Sequence, residues 1–350
     1  MTLAAPVKWA VISILVLSLA GCSQPGGKAN VPSPTLSDAE ASSTVVAITS
    51  TPSPTPIPQG SDGNPIVMGI VWSDESSQSA AAGQFIQYLA DTTGFVFALQ
   101  PFGSKLDLLT AMDQGKVAFS WLLPEDYLYA SENNIGIVAF QTSHYGVYSY
   151  GSYVFVRSDS GFQLDFDPDT GMSKFGASAA LRQFSQKIPC LVNQRSISGY
   201  AYPLGLLAEE GVEVKDPVLL QTHEAVIRAI NTGGICDFGF TYGITGDPRT
   251  SSAIQKDIPD VMQKVLIAWQ TPADIPTLNL TYATLLAGDI RYAVSSALKK
   301  YASNPDGLQT LSMMNNYAID GIRPASDDDY ENLRAALRAA GIDTQSLLSR

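Results

Sequence analysis

Short apolar runs alternating with segments of helical spacing occur twice in this sequence, and that alternation constrains the fold more than any other feature. Residues 66–71 (IVMGIV) form an apolar run with β-branched members, the pattern of a buried strand. Residues 79–92 place Phe85, Ile86 and Leu89 on one helical face, residues 95–99 form a second strand, and residues 106–114 form a helix stopped by Gly115. Residues 117–121 read as a third strand. The same order returns as strand 190–192, helix 199–210, strand 218–220, helix 224–231 and strand 237–240. Strand–helix alternation is the mark of an α/β fold with a parallel sheet. Two copies of it joined by extended segments predict two lobes of similar build.

A different kind of chain precedes the alternation. Lys8 stands before an almost wholly apolar run over residues 9–19, which is shorter than the roughly 20 residues that a membrane-spanning helix needs. The run fits the core of a signal peptide covering residues 1–21. It ends in Leu19-Ala20-Gly21-Cys22, which resembles the lipobox of bacterial lipoproteins. The resemblance implies a diacylated Cys22, whose acyl chains anchor the protein with about 0.8 kcal/mol per buried CH2. Of the 41 residues from 23 to 63, 24 are Ser, Thr, Pro or Gly. Such a stretch cannot bury enough surface to offset its ordering entropy, so residues 22–63 are expected to be a lipidated cysteine and a linker reaching roughly 35 Å.

The remaining 287 residues, 64–350, suffice for one large domain or two modest lobes. Without the signal segment the chain has 20 basic and 33 acidic residues, a net charge of −13. No basic cluster is present to neutralise phosphates, which argues against nucleic acid as a partner. A small anion remains open, because backbone N–H groups at a helix N-terminus bind anions whatever the net charge. Ser196 and Ser198 lie where a strand feeds a helix, so their hydroxyls and the N–H groups of residues 198–200 can converge on one point. Gly199 would let a ligand approach the backbone. The same residues also read as ordinary N-capping. His223 occupies a second strand-to-helix junction, as a hydrogen-bond donor or as a capping residue. His144 lies among Tyr145, Tyr148, Tyr150 and Tyr153, a cluster that could wall a pocket or line the hinge, although aromatic strands more often build core. In the first half, Trp72 and Ser73 end the opening strand, and Trp121, Leu123 and Pro124 end the third.

Several motifs in order resemble the phosphate/phosphonate-binding subunits of ABC importers. Gly115-Lys116-Val117-Ala118-Phe119-Ser120-Trp121-Leu122-Leu123-Pro124 matches a G-K-V-x-x-x-W-L-x-P segment, with Leu123 where the family often has Gly. Ser196-Ile197-Ser198-Gly199-Tyr200 matches a Ser/Thr-rich turn ending in S-G-Y. Gln221-Thr222-His223-Glu224 matches a His-containing helix start, and Gly234-Ile235-Cys236-Asp237 matches a G-x-x-D strand. Gly321-Ile322-Arg323-Pro324 matches the closing segment, so the likeness spans about 270 residues.

The resemblance implies a type II periplasmic-binding-protein fold: two α/β lobes, each a mostly parallel sheet flanked by helices. Lobe 1 would hold residues 64–157 and 275–350, lobe 2 residues 158–274, with hinge crossings near 156–161 and 269–276. It further implies capture of a phosphonate- or phosphate-like oxyanion for an ABC importer permease. The expected ligand contacts are Ser196, Ser198, Gly199, Tyr200 and His223, joined by Trp72, Ser73, Trp121, Leu123, Thr241 and Tyr242. Relatives that bind aminoalkyl phosphonates meet the amine with carboxylates, whereas the strand after Asp237 ends here in Thr241-Tyr242. In that topology the strands of Cys190 and Cys236 are neighbours, which allows a disulfide in an exported protein; two buried free thiols are the alternative. Two histidines and no CxxC leave no metal spacing, and no cofactor motif is present. No nucleophile–base motif points to an enzyme. A solute-binding sensor module with a changed ligand, uncoupled from import, is the second reading.

Overall fold

The computed structural model describes residues 57–72 and 75–348. The signal segment, Cys22, most of the linker and Ser73 lie outside those residues. The fold takes up the chain before Asn64. Asn64 Nδ2 donates to the Ile57 carbonyl at 3.0 Å, and the Gly60 carbonyl accepts the Val96 N–H at 2.8 Å. Gly60 adopts φ +89°, and a Cβ there would fall 2.7 Å from the Phe95 ring, so the turn requires glycine.

The first sheet begins with β1 (Ile66–Val71), β2 (Phe97–Phe102), β3 (Phe119–Leu122) and β4 (Gly136–Ser143), connected by α1 (Glu75–Thr93), α2 (Lys105–Asp113) and α3 (Pro124–Glu132). The second sheet comprises β5 (Ser149–Arg157), β6 (Pro189–Leu191), β7 (Val218–Leu219), β8 (Phe238–Gly243) and β9 (Val265–Gln270). Its helices include α4 (Tyr202–Glu209) and α5 (His223–Thr232). The chain then returns as β10 (Asn279–Ala283), α6 (Gly288–Tyr301), α7 (Pro305–Asn315) and β11 (Gly321–Pro324), and α8 (Glu331–Ala339) follows.

The strand orders are β11-β4-β10-β3-β1-β2 and β9-β5-β8-β6-β7. Three strands run parallel in each sheet: β2, β1 and β3 in the first, β8, β6 and β7 in the second. The remaining pairings are antiparallel, because strands that carry the chain between the sheets run back against the parallel set. The sheets are therefore mixed rather than mostly parallel. β3 is buried at all four positions, as expected of a strand covered on both faces.

The first crossing lies at residues 144–148, not at 156–161. The reason is pairing: β5 is matched along its length by β8 and β9, so the second lobe begins at Ser149. The return falls between β9 and β10, where Ile275–Pro276 still pairs with Tyr150 and Ser149. The tail is likewise not confined to the first lobe. Leu333, Ala336 and Leu337 of α8 share a core with Tyr202, Leu206 and Leu207 of α4. Arg334, almost fully buried, bonds Asp327 at 2.7 Å and Glu331 at 2.6 Å, and Asp327 also accepts from Tyr127 of α3 at 2.8 Å.

At the α4–α8 contact a Cβ on Gly205 would lie 2.2 Å from the Ala336 carbonyl oxygen. Gly205→Ala is therefore expected to destabilise the fold by about 1–3 kcal/mol, read as a lower denaturant midpoint. An unchanged midpoint would contradict this docking of α8. Cys190 and Cys236 form a disulfide with their Cα atoms 5.6 Å apart, tying β6 to the segment entering β8.

Candidate functional site

Both strand-to-helix junctions of the second sheet point at the cleft between the lobes. After β6 the chain turns at Ser196, whose hydroxyl accepts the Gly199 N–H at 3.1 Å. A π-helical turn, Ile197–Ala201, leads into α4. Wide turns of this kind are frequent at functional sites. The Ser198 carbonyl is pinned by the Ser152 hydroxyl at 2.7 Å, and the Ser198 side chain hydrogen-bonds the Tyr150 hydroxyl. At the second junction Thr222 caps α5, accepting the Ala225 N–H at 3.1 Å, which holds His223 at the first helical position.

These groups meet in a cavity of about 190 Å³ walled by Ser196, Ser198, His223 and Tyr150 from one lobe and by Leu123, Glu125 and Tyr317 from the other. Ser198, His223, Tyr150 and Tyr317 also border an outer cavity of about 510 Å³ that continues past Tyr145, Tyr242 and Asp247. Leu123, Leu278 and Tyr317 border a third, about 290 Å³, lined by Trp72, Trp121 and Lys105. The three adjoin through these shared residues and together line the cleft. A separate groove of about 890 Å³ lies between Leu106, Arg195, Leu219 and the chain end, but none of these converging donors reaches it.

The polar groups of the inner cavity are mostly neutral donors. His223 Nδ1 accepts the Tyr242 N–H at 3.4 Å, so the ring proton sits on Nε2. Burial pushes the imidazole down to about 4, with only weak opposition from Glu224, and the ring is uncharged at neutral pH. Burial raises the Tyr150 and Tyr317 phenols far above their usual range, which keeps both as O–H donors. No Lys or Arg lines this cavity among the described residues. Nearby charges are already paired, Lys105 with Asp126 at 2.7 Å and Arg249 with Asp247 at 2.6 Å. Such a site suits an oxyanion held by hydroxyls, an imidazole N–H and the helix N-terminus.

Of the residues expected from sequence, Ser196, Ser198, His223, Trp72, Trp121, Leu123 and Tyr242 all line the cleft. Three others do not. Gly199 faces inward, where a Cβ would lie 2.3 Å from Val192 Cγ2, and its N–H is taken by Ser196. Tyr200 packs against the core. Thr241 is fully buried, because side chains alternate along a strand and Tyr242 takes the cleft side. Ser73 lies outside the described residues. The indole N–H groups of Trp72 and Trp121 are buried without a hydrogen-bond partner.

Sequence reasoning missed Glu125, Tyr317 and Asp247 and left Tyr150 in an undivided tyrosine cluster. For Glu125 the available signal was its place directly after Pro124, at the carboxyl end of β3. Tyr317 gave none, since it reaches the cleft from the turn after α7. His144 stacks on Tyr317 with ring centres 4.1 Å apart, and its Nδ1 meets the Ala318 carbonyl at 2.7 Å. Asp237 is structural: its carboxylate accepts the Ile188 N–H at 2.7 Å.

Solved structures similar in fold to the chain include the following two. One is XAC2383 from Xanthomonas citri bound to ATP, with a TM-score of 0.58 and 14% identity, covering 79% of this chain and 96% of that one. Another is PhnD1 from Prochlorococcus marinus in complex with methylphosphonate, with a TM-score of 0.50 and 15% identity, covering 79% of this chain and 98% of that one. No curated protein matches the chain in sequence. The family model described as ABC transporter, phosphonate, periplasmic substrate-binding protein matches residues 68–330. The motifs, the two-lobed fold and this match agree that the chain belongs to the periplasmic substrate-binding proteins of phosphonate ABC transporters, an extracytoplasmic transport component rather than an enzyme.

Proposed function

We propose that the cleft captures a phosphonate- or phosphate-like oxyanion at the junction of Ser196, Ser198 and His223. Trp72, Trp121 and Leu123 close on it from the first lobe, and the closed form presents it to the importer's permease. The observation that carries this reading is the convergence of Ser198 Oγ, the His223 Nε2–H side and the Tyr150 hydroxyl on one cavity of about 190 Å³ between the lobes. A cavity of that size suits a small head group, and the PhnD1 relative holds methylphosphonate. Two crossings between the lobes, at residues 144–148 and 271–278, provide a hinge about which a ligand touching both lobes would close them.

A thermal-shift panel of methylphosphonate, phosphate, phosphite, aminoethylphosphonate and sulfate tests the ligand class. A ligand at 100 times its dissociation constant stabilises the folded state by about 2.7 kcal/mol. A shift with at least one phosphorus oxyanion is expected, and silence across the panel from folded protein would overturn the assignment.

The protein is held to the outer face of the cell membrane through a lipid on Cys22, at the end of the linker. Cys22→Ser is expected to release it to the soluble fraction and to abolish incorporation of labelled fatty acid. Retention at the membrane with label intact would contradict the anchor.

A further inference from the structure

Within the cavity that holds Ser196, Ser198 and His223, Glu125 is the one acidic side chain on the wall among the described residues. A carboxylate there would face the oxyanion and repel it. Glu125 follows Pro124 at the start of α3, and its carboxyl accepts a hydrogen bond from its own backbone N–H. No side chain pairs with it among the described residues. The groups around it come from five elements. Asp126 is next on α3 and is bound at 2.7 Å by Lys105 from the head of α2. Tyr150 belongs to β5, Tyr317 follows α7, and His223 opens α5.

None of these supplies a free positive charge: Lys105 is spent on Asp126, both phenols are neutral, and His223 is neutral. Burial, and after it the Asp126 charge, raise the Glu125 carboxyl to about 8, against weaker opposition from its own backbone N–H and Lys105. At neutral pH the side chain is therefore an acid with an O–H to donate.

We propose that Glu125 is a specificity-determining residue of the cleft: as a carboxylic acid it hydrogen-bonds the captured oxyanion through its O–H, so each ligand is held together with one proton. The proposal rests on the oxyanion reading given above. It makes the cleft selective for a partner that accepts this proton and unsuited to one that offers a cation to a carboxylate. The sign follows directly. As pH rises through about 8 the free protein loses the Glu125 proton, and binding must then take that proton up again. Affinity falls on the alkaline side, by about tenfold per pH unit.

The test is calorimetric titration of the purified chain with methylphosphonate from pH 6 to pH 10, alongside Glu125→Gln. The variant carries an amide that does not titrate, so it also cancels the ligand's own ionisation. The wild-type to variant affinity ratio should be level below pH 7 and fall about tenfold per unit above pH 8. As a second readout, titration of the wild type and Glu125→Gln at pH 8 in buffers of different ionisation enthalpy should report about half a proton more taken up by the wild type, the share that goes to Glu125. A ratio that stays flat to pH 10, or the absence of this uptake, would overturn the proposal while methylphosphonate still binds. Preferential binding of aminoethylphosphonate that strengthens with pH and is lost in Glu125→Gln would overturn it too, by showing a carboxylate paired with an amine. Failure of every oxyanion to bind the wild type is a different result and would count against the oxyanion reading itself.

Discussion

Ser198→Ala is expected to weaken methylphosphonate binding by about 10- to 100-fold, and His223→Ala to do the same. A hydrogen bond to a charged group contributes about 1.5–3 kcal/mol, and about 1.4 kcal/mol is a factor of ten in affinity. Ser198 is a clean position for the test. Its backbone carbonyl is held by Ser152 and its turn is capped by Ser196, so truncation removes one hydroxyl and leaves the turn in place. The change also strands the Tyr150 hydroxyl, which the Ser198 side chain now engages. For His223 the decisive comparison is with His223→Gln, whose amide restores a neutral donor. Glutamine should recover part of the affinity that alanine loses, because the imidazole acts uncharged. Titration calorimetry at pH 7 reads both. Losses below threefold in Ser198→Ala and His223→Ala would place the ligand elsewhere in the cleft.

Loss of the Cys190–Cys236 bond lowers stability by about 2–5 kcal/mol. The bond closes a sequence separation of 46 residues, and that chain includes the Ser196 turn, α4, β7 and α5. It therefore restrains both strand-to-helix junctions of the site. Cys190 is fully buried and Cys236 nearly so, so the bond opens to reductant chiefly when the lobe loosens. The double variant Cys190→Ala/Cys236→Ala should show a lower denaturant midpoint in oxidising buffer. Wild type unfolded and refolded in reductant should fall towards the same value. A difference under about 1 kcal/mol would mean that the β6–β8 pairing holds the lobe without the bond.

Much of this architecture can be read from the sequence because alternation and apolar runs are local properties. Residues 66–71 announce β1, and Ser196 and His223 stand at junctions where a strand feeds a helix, which is where open α/β sheets bind ligands. What escaped depends on pairing and on crossings. Residues 149–157 read as part of the first lobe until β8 and β9 are seen to flank them. Tyr317 enters the cleft from a turn that no periodicity marks. Thr241 and Tyr242 are neighbours in sequence, but a strand turns adjacent side chains to opposite faces, and only Tyr242 reaches the cleft. Gly199 reads in the sequence as a place for ligand approach, whereas its close approach is to Val192. Glu125 belonged to a recognised segment, but only the fold shows that it shares a cavity with Ser198.

The measurement that bears most directly on the central claim is the His223 ring nitrogen resonance, followed while methylphosphonate is added at pH 7. Capture at the Ser198–His223 junction predicts a saturable shift of Nε2, with Nδ1 remaining the unprotonated acceptor of the Tyr242 N–H and the ring staying neutral. Saturable binding that leaves both ring nitrogens unmoved would contradict the account, because the ligand would then sit away from the junction on which the reading rests.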